Sequence, residues 1–161
     1  MCWQEIGTLN DAALTFSDIY NMGPMDIDDM GWTLLHRAVS RSMHTRGMID
    51  VVSGLLQAMS VEAVNALTIS GRPAGFSALS LCCSSRDPHG ERTAIAILLV
   101  EKGANLEVRN ASGATPLITA CAVGFWSVVR VLLDARADAF ATNNNGRNAM
   151  GVTPRGQAMV F

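Results

Sequence analysis

The sequence predicts an all-α solenoid of stacked helix–turn–helix repeats joined by β-hairpin-like loops. Three observations predict it. First, one layout returns along the chain: a glycine, a small polar residue, a short helix of small apolar residues, then a second helix rich in Leu, Val and Ile. Second, the anchoring glycines are Gly31, Gly75, Gly113 and Gly146, and the last two stand 33 residues apart. Third, 49% of the 161 residues are apolar and 16% charged, against about 25% charged in an average domain. A chain of this kind can bury a large core.

The elements follow in order. Asn10 and Asp11 are N-cap residues for "AALTFSDIY", the second helix of a degenerate N-terminal cap or partial repeat over 1–27. The first full copy, 28–70, opens with "GWTLLHRAV", where Thr33, Leu35, Ala38 and Val39 fall in step with later copies; Val52, Leu55 and Leu56 mark its second helix. The second copy, 71–109, puts Ser77, Leu79 and Cys82–Cys83 in the first helix and Ile95, Leu98 and Leu99 in the second. The third, 110–142, runs through Thr115-Pro116-Leu117 and aligns Val129, Leu132 and Leu133 with Ile95, Leu98 and Leu99. A partial repeat, 143–161, follows. Pro154 is expected to stop its first helix early, and the chain closes on the apolar run Ala158–Phe161. From glycine to second helix the copies span 21 residues (31 to 52), 20 (75 to 95) and 16 (113 to 129), so the first two carry inserted loops between their helices. A further insertion, "SVEAVNALTISGRP", precedes the second hairpin.

No such helix pair buries its apolar side alone; stacking the copies makes one continuous core. The first helices are thin and the second thick, so the array curves and the thin side becomes a concave groove edged by hairpin tips.

The third copy, with its Thr115-Pro116-Leu117 after Gly113, resembles the ankyrin repeat, whose signature is G-x-T-P-L-H-x-A. The resemblance covers about residues 28–155. It implies a fold that works by binding proteins. It also implies scaffold roles for Gly31, Gly75, Gly113, Gly146, Thr33, Thr115 and Pro116, and for His36, whose ring is expected to fix the opening turn of its helix through threonine and backbone groups. Contact with a partner then falls to the slots that stacking does not use. The slot after each glycine holds Trp32, Phe76, Ala114 and Arg147; the tips hold Asp29, Met30, Asn144 and Asn145; the far ends of the first helices hold Ser40–Arg41, Ser84–Ser85 and Ala122–Val123. Trp32 and Phe76 are expected to anchor the partner, since large aromatics dominate interface hot spots. Arg46, Arg86 and Arg92, in or near the inserted loops, suggest a second surface for an acidic partner or an anionic headgroup.

Other function classes lose support. A formal net charge of −2 gives no basic face for nucleic acid. No nucleophile–His–carboxylate set, HExxH, GxSxG or phosphate-binding loop occurs, so no catalytic residue, metal or cofactor is expected and the chain is read as a non-enzyme. His44 and His89, in the two loops, read as solvated rather than as a zinc pair. The longest apolar run, Ala94–Val100, is too short to span a membrane, and no basic-then-apolar leader opens the chain. Cys2, Cys82, Cys83 and Cys121 lack metal-ligand spacing and read as reduced, buried residues. An intracellular, reducing compartment is expected: the cytoplasm first, with nucleus and organelle interior left open. Two partner modes remain, a free adaptor and a permanent subunit of a larger assembly.

Overall fold

The computed structural model describes residues 23, 26–28, 31–42, 46–69, 75–85 and 90–153. The proposed N-terminal cap helix and the apolar tail lie outside them, as do Cys2, Asp29, Met30, His44, Arg86, His89 and Pro154.

Two layers of helices run side by side. The inner layer is α1 (Leu34–Arg41), α4 (Ala78–Cys83), α6 (Pro116–Val123) and a closing 3-10 turn (Met150–Val152); the outer layer is α2 (Met48–Ala58), α5 (Arg92–Glu101) and α7 (Trp126–Asp134). Each helix packs on its hairpin partner and on the equivalent helix of the next copy. Among the described residues there are seven α-helices and no strand beyond an isolated bridge, Ile27 with Thr33. The fold is the all-α solenoid expected.

The inner helices start alike. Thr33, Ser77 and Thr115 sit in extended geometry, and each side-chain oxygen accepts from the backbone N–H three residues on. That is the N-cap arrangement, which satisfies a donor the helix cannot. Pro116 adds a first-turn residue that lacks the N–H needing a partner. One leucine per copy, Leu35, Leu79 and Leu117, fixes the inner layer to the core.

The outer layer corrects the sequence register by one residue. The N–H of Ala104 reaches the Leu99 carbonyl, and that of Ala137 the Leu132 carbonyl, both at 2.9 Å. Leu132 is therefore the counterpart of Leu99, and Val128 of Ile95; all four are fully buried. Val129 and Leu133 are not the matching residues. Runs such as Val128–Val129 and Leu132–Leu133 offer two apolar choices per turn, and only packing separates them.

The insertion before the second hairpin contains an unforeseen short helix, α3 (Val61–Val64), capped by the Ser60 hydroxyl. After it, Asn65 holds the neighbouring copy: its Oδ1 accepts from Asn105 N–H at 2.7 Å and its Nδ2 donates to the Gly103 carbonyl at 3.1 Å. Glu107 repeats the bond, accepting from Asp138 N–H at 2.8 Å.

The anchor glycines share one left-handed conformation, with φ of 72°, 74°, 72° and 71°. At Gly113 the requirement is double. A Cβ there would stand 2.2 Å from Asn144 Oδ1 and 2.9 Å from the Asn144 backbone nitrogen, whereas a Cβ at Gly146 meets nothing within 4 Å. Both Gly→Ala changes meet the left-handed strain of about 1 kcal/mol. Gly113→Ala also has to displace a neighbouring hairpin. It is expected to cost at least about 1 kcal/mol more than Gly146→Ala in urea unfolding; equal costs would place the two hairpins apart.

Candidate functional site

Each hairpin is closed by one side chain. Asp28 Oδ1, Thr68 Oγ1, Asn110 Oδ1 and Asn143 Oδ1 accept the N–H of the residue after the anchor glycine: Trp32, Phe76 and Ala114 at 3.0 Å, Arg147 at 3.1 Å. These acceptors pre-set the turn and so fix where the slot after the glycine points. Sequence reasoning passed over them. The signal was an Asp or Asn three positions before Gly31, Gly113 and Gly146, hidden in the second copy by a longer tip with threonine.

Between the inner helices and these hairpins lies a groove of about 260 Å³. Its walls include Phe76, Ala114, Ile118, Thr119, Ala122 and Val123, with Asn110, Ser112 and Asn143 on the hairpin side and no charged residue in the lining. Ser84, Ala122 and Val123 are the far-end slots the repeat pattern marks out; Ile118, Thr119 and Val152 are wall residues it did not.

The aromatic pair is placed differently from the expectation. Trp32 is 6% exposed and Phe76 9%, and both belong to the hydrophobic core. The Arg37 guanidinium lies over the Trp32 ring at 5.0 Å and pairs with the Asp28 carboxylate, while His36 meets the ring edge-on at 6.4 Å. Phe76 keeps one edge on the groove wall. Neither ring projects as an exposed anchor: both pack into the core, and the Arg37 guanidinium covers Trp32. Arg41 is half-buried; Arg147, Asn144, Asn145 and Arg46 are exposed.

Arg92 is a second correction. It is fully buried, so it does not belong to an outer basic surface. Its Nη2 donates to the Leu81 carbonyl at 2.6 Å and its Nη1 to Ser85 Oγ, at the C-terminal end of α4. In the third copy Gly124, with φ 70°, closes the equivalent helix. The second copy has no glycine there, and a guanidinium takes over. The adjoining Glu91 carboxylate accepts from Gly47 N–H at 2.7 Å and Met48 N–H at 3.1 Å, tying this loop to the start of α2.

His36 is buried. Its Nε2 lies 3.0 Å from the Phe76 carbonyl, which only accepts, so Nε2 carries the proton. Nδ1 then accepts from Thr33 Oγ1 at 2.7 Å and Thr33 N–H at 3.3 Å. The ring closes its own helix start and reaches the next copy, 40 residues away. Burial pushes its pKa down to about 4, against the upward pull of the Phe76 and Ala66 carbonyls and of Asp28. The unfolded chain, with His near 6.5, binds the proton first. The stability from neutral, buried His36 is therefore full above about pH 6.5 and lost as pH falls towards 4, by up to about 3 kcal/mol. Urea unfolding of the wild type and His36→Gln between pH 7 and 4.5 should show the wild type losing more; parallel curves would contradict the assignment.

Cys82, Cys83 and Cys121 form no disulfide and are buried. Burial raises the Cys83 thiol well above its usual range and Cys121 to about 11, so both are neutral. Among the described residues no cluster of three or more His, Cys, Asp or Glu side chains could hold a metal, and no helix is long and apolar enough to cross a membrane.

The comparisons match this geometry. Residues 99–150 match the family model described as ankyrin repeats in many copies. A 57-residue stretch, 35% of this chain, is 44% identical to a probable E3 ubiquitin-protein ligase, XBOS33, of Oryza sativa subsp. japonica. The match spans only 11% of that protein's length. Such repeats are in general protein-interaction modules and not catalysts. With four hairpins closed the same way and two registered layers of helices, the chain has an all-α, ankyrin-like repeat fold, and residues 99–150 match ankyrin repeats.

Proposed function

We propose that the chain is a non-enzymatic interaction module, with repeats over 28–70, 71–109 and 110–142, that takes a protein partner in the concave groove and at the hairpin tips. The groove carries this reading. It is open, apolar in its walls and rimmed by Asn110, Ser112 and Asn143, the mix of apolar seat and few polar groups that suits a docked segment. Arg147, Asn144, Asn145 and Arg41 remain as contact residues at its edges, and Phe76 contributes through the wall. The likeness to a probable ubiquitin ligase spans 57 residues and 11% of that protein, too little to carry its activity over to this chain. The cysteines, buried as thiols, fit a reducing intracellular compartment. Ala122 is exposed on α6, so Ala122→Arg should fill the groove, leave melting unchanged and reduce capture of native partners at least tenfold. Unchanged capture would overturn the groove reading.

A second reading, a permanent subunit of a larger assembly, is favoured by Phe140 and Met150, which are 81% and 56% exposed. Phe140 occupies the register of Asn65 and Glu107, where those two bond the next copy. Sedimentation of the purified chain as a stable monomer would count against this second reading.

A further inference from the structure

The charges are sorted by face. Among the described residues the acidic side chains Asp50, Glu62, Glu101 and Asp134 belong to α2, α3, α5 and α7, Glu107 and Asp138 to the hairpin arms, Glu91 to the loop between α4 and α5, and Asp26 and Asp28 to the approach to the first hairpin. Cations stand among them: Lys102, Arg109, Arg130 and Arg136. The inner helices α1, α4 and α6 and the 3-10 turn hold no acidic residue. Asp28, beside α1, is paired with Arg37. The groove is therefore uncharged along its trough, with Arg41 and Arg147 in register with its two ends.

The two ends are defined by register. Arg41 ends α1 at the position that Val123 holds on α6, and Val123 lines the groove. Arg147 follows Gly146 at the position of Phe76 and Ala114, which also line it. Neither Arg41 nor Arg147 has an ion-pair partner among the described residues. An unopposed guanidinium beside an apolar trough selects a carboxylate, because a like or absent charge leaves it uncompensated near a low-dielectric wall.

We propose that the groove's occupant is an acidic segment of a partner protein, in which apolar residues seat against Ile118, Ala122 and Val123 and flanking Asp or Glu side chains meet Arg41 at one end and Arg147 at the other. This rests on the groove reading above. Three helix-to-helix steps of about 9 Å each separate the two ends, and an extended chain advances about 3.3 Å per residue, so roughly eight residues join the two carboxylates. Nucleic acid fits less well: two cations so far apart do not track a phosphate backbone, and the trough between them presents no exposed aromatic for stacking.

The test is a phage library of random dodecapeptides selected on the full chain and counter-selected on Ala122→Arg. Enriched peptides should carry Asp or Glu on both sides of apolar residues. A selected peptide should bind at least tenfold more weakly to Arg147→Glu and to Arg41→Glu, and so should its Asn/Gln counterpart to the wild type; raised salt should weaken the acidic peptide most. Both arginines are at least partly exposed, so unchanged melting checks the variants, with Arg147→Gln and Arg41→Gln as milder forms. Groove-dependent peptides without acidic residues, indifference to the arginine variants, or tighter binding of a single-stranded oligonucleotide would overturn the acidic-segment inference and leave the groove reading standing. Absence of any peptide sensitive to Ala122→Arg would overturn both.

Discussion

Trp32→Ala is expected to destabilise the fold by about 3–5 kcal/mol, the cost of truncating a large buried aromatic. That is a large share of the roughly 5–15 kcal/mol that holds a domain together. The ring is 6% exposed in the core, with the Arg37 guanidinium over its face and His36 at its edge. Its backbone N–H is held by Asp28. Removing it uncovers the start of α1 and strips Arg37 of its stacking surface. Trp32→Phe should cost far less, about 1–2 kcal/mol at most. The indole Nε1 is buried without a hydrogen-bond partner among the described residues, so phenylalanine gives up packing and removes an unsatisfied donor. Urea titration measures both. A Trp32→Ala protein as stable as the wild type would return this residue to the role of an exposed contact anchor.

Arg92→Ala is the second large effect, expected at about 3 kcal/mol or more. The side chain is fully buried, so alanine leaves a cavity and removes the donors to the Leu81 carbonyl and Ser85. Arg92→Met keeps most of the stem's volume and should recover the packing share. The remaining deficit, about 1–2 kcal/mol, then measures what the guanidinium does for the end of α4. A change of under about 0.5 kcal/mol for Arg92→Ala is what a solvated surface arginine would give, and it would contradict the buried placement.

The fold was legible because its cues are local. Gly31, Gly75, Gly113 and Gly146 need a left-handed backbone, Thr33, Ser77 and Thr115 cap helices, and small-residue helices alternate with Leu- and Val-rich ones. What was hidden depends on tertiary context. Arginine in a charged loop, "SRDPHGER", reads as solvated; only the missing glycine after α4 shows that a capping group is needed, and Arg92 fills it. Trp32 beside a glycine at a hairpin reads as a displayed aromatic. Its burial goes with the Arg37 guanidinium that lies over the ring, a contact that spacing does not reveal. The groove was half legible: Ser84, Ala122 and Val123 lie where the repeat leaves slots, whereas Asn110 and Asn143 enter its rim as a by-product of closing hairpins.

The central claim is that partners dock on the concave face. A photo-crosslinking residue at position 122, on α6, and another at position 130, on the exposed side of α7, test it directly in native extract. The account predicts a discrete crosslinked partner from position 122, competed away by excess unlabelled chain, and none from position 130. The same partner crosslinking from position 130 and not from 122 would place docking on the outer layer and contradict the account.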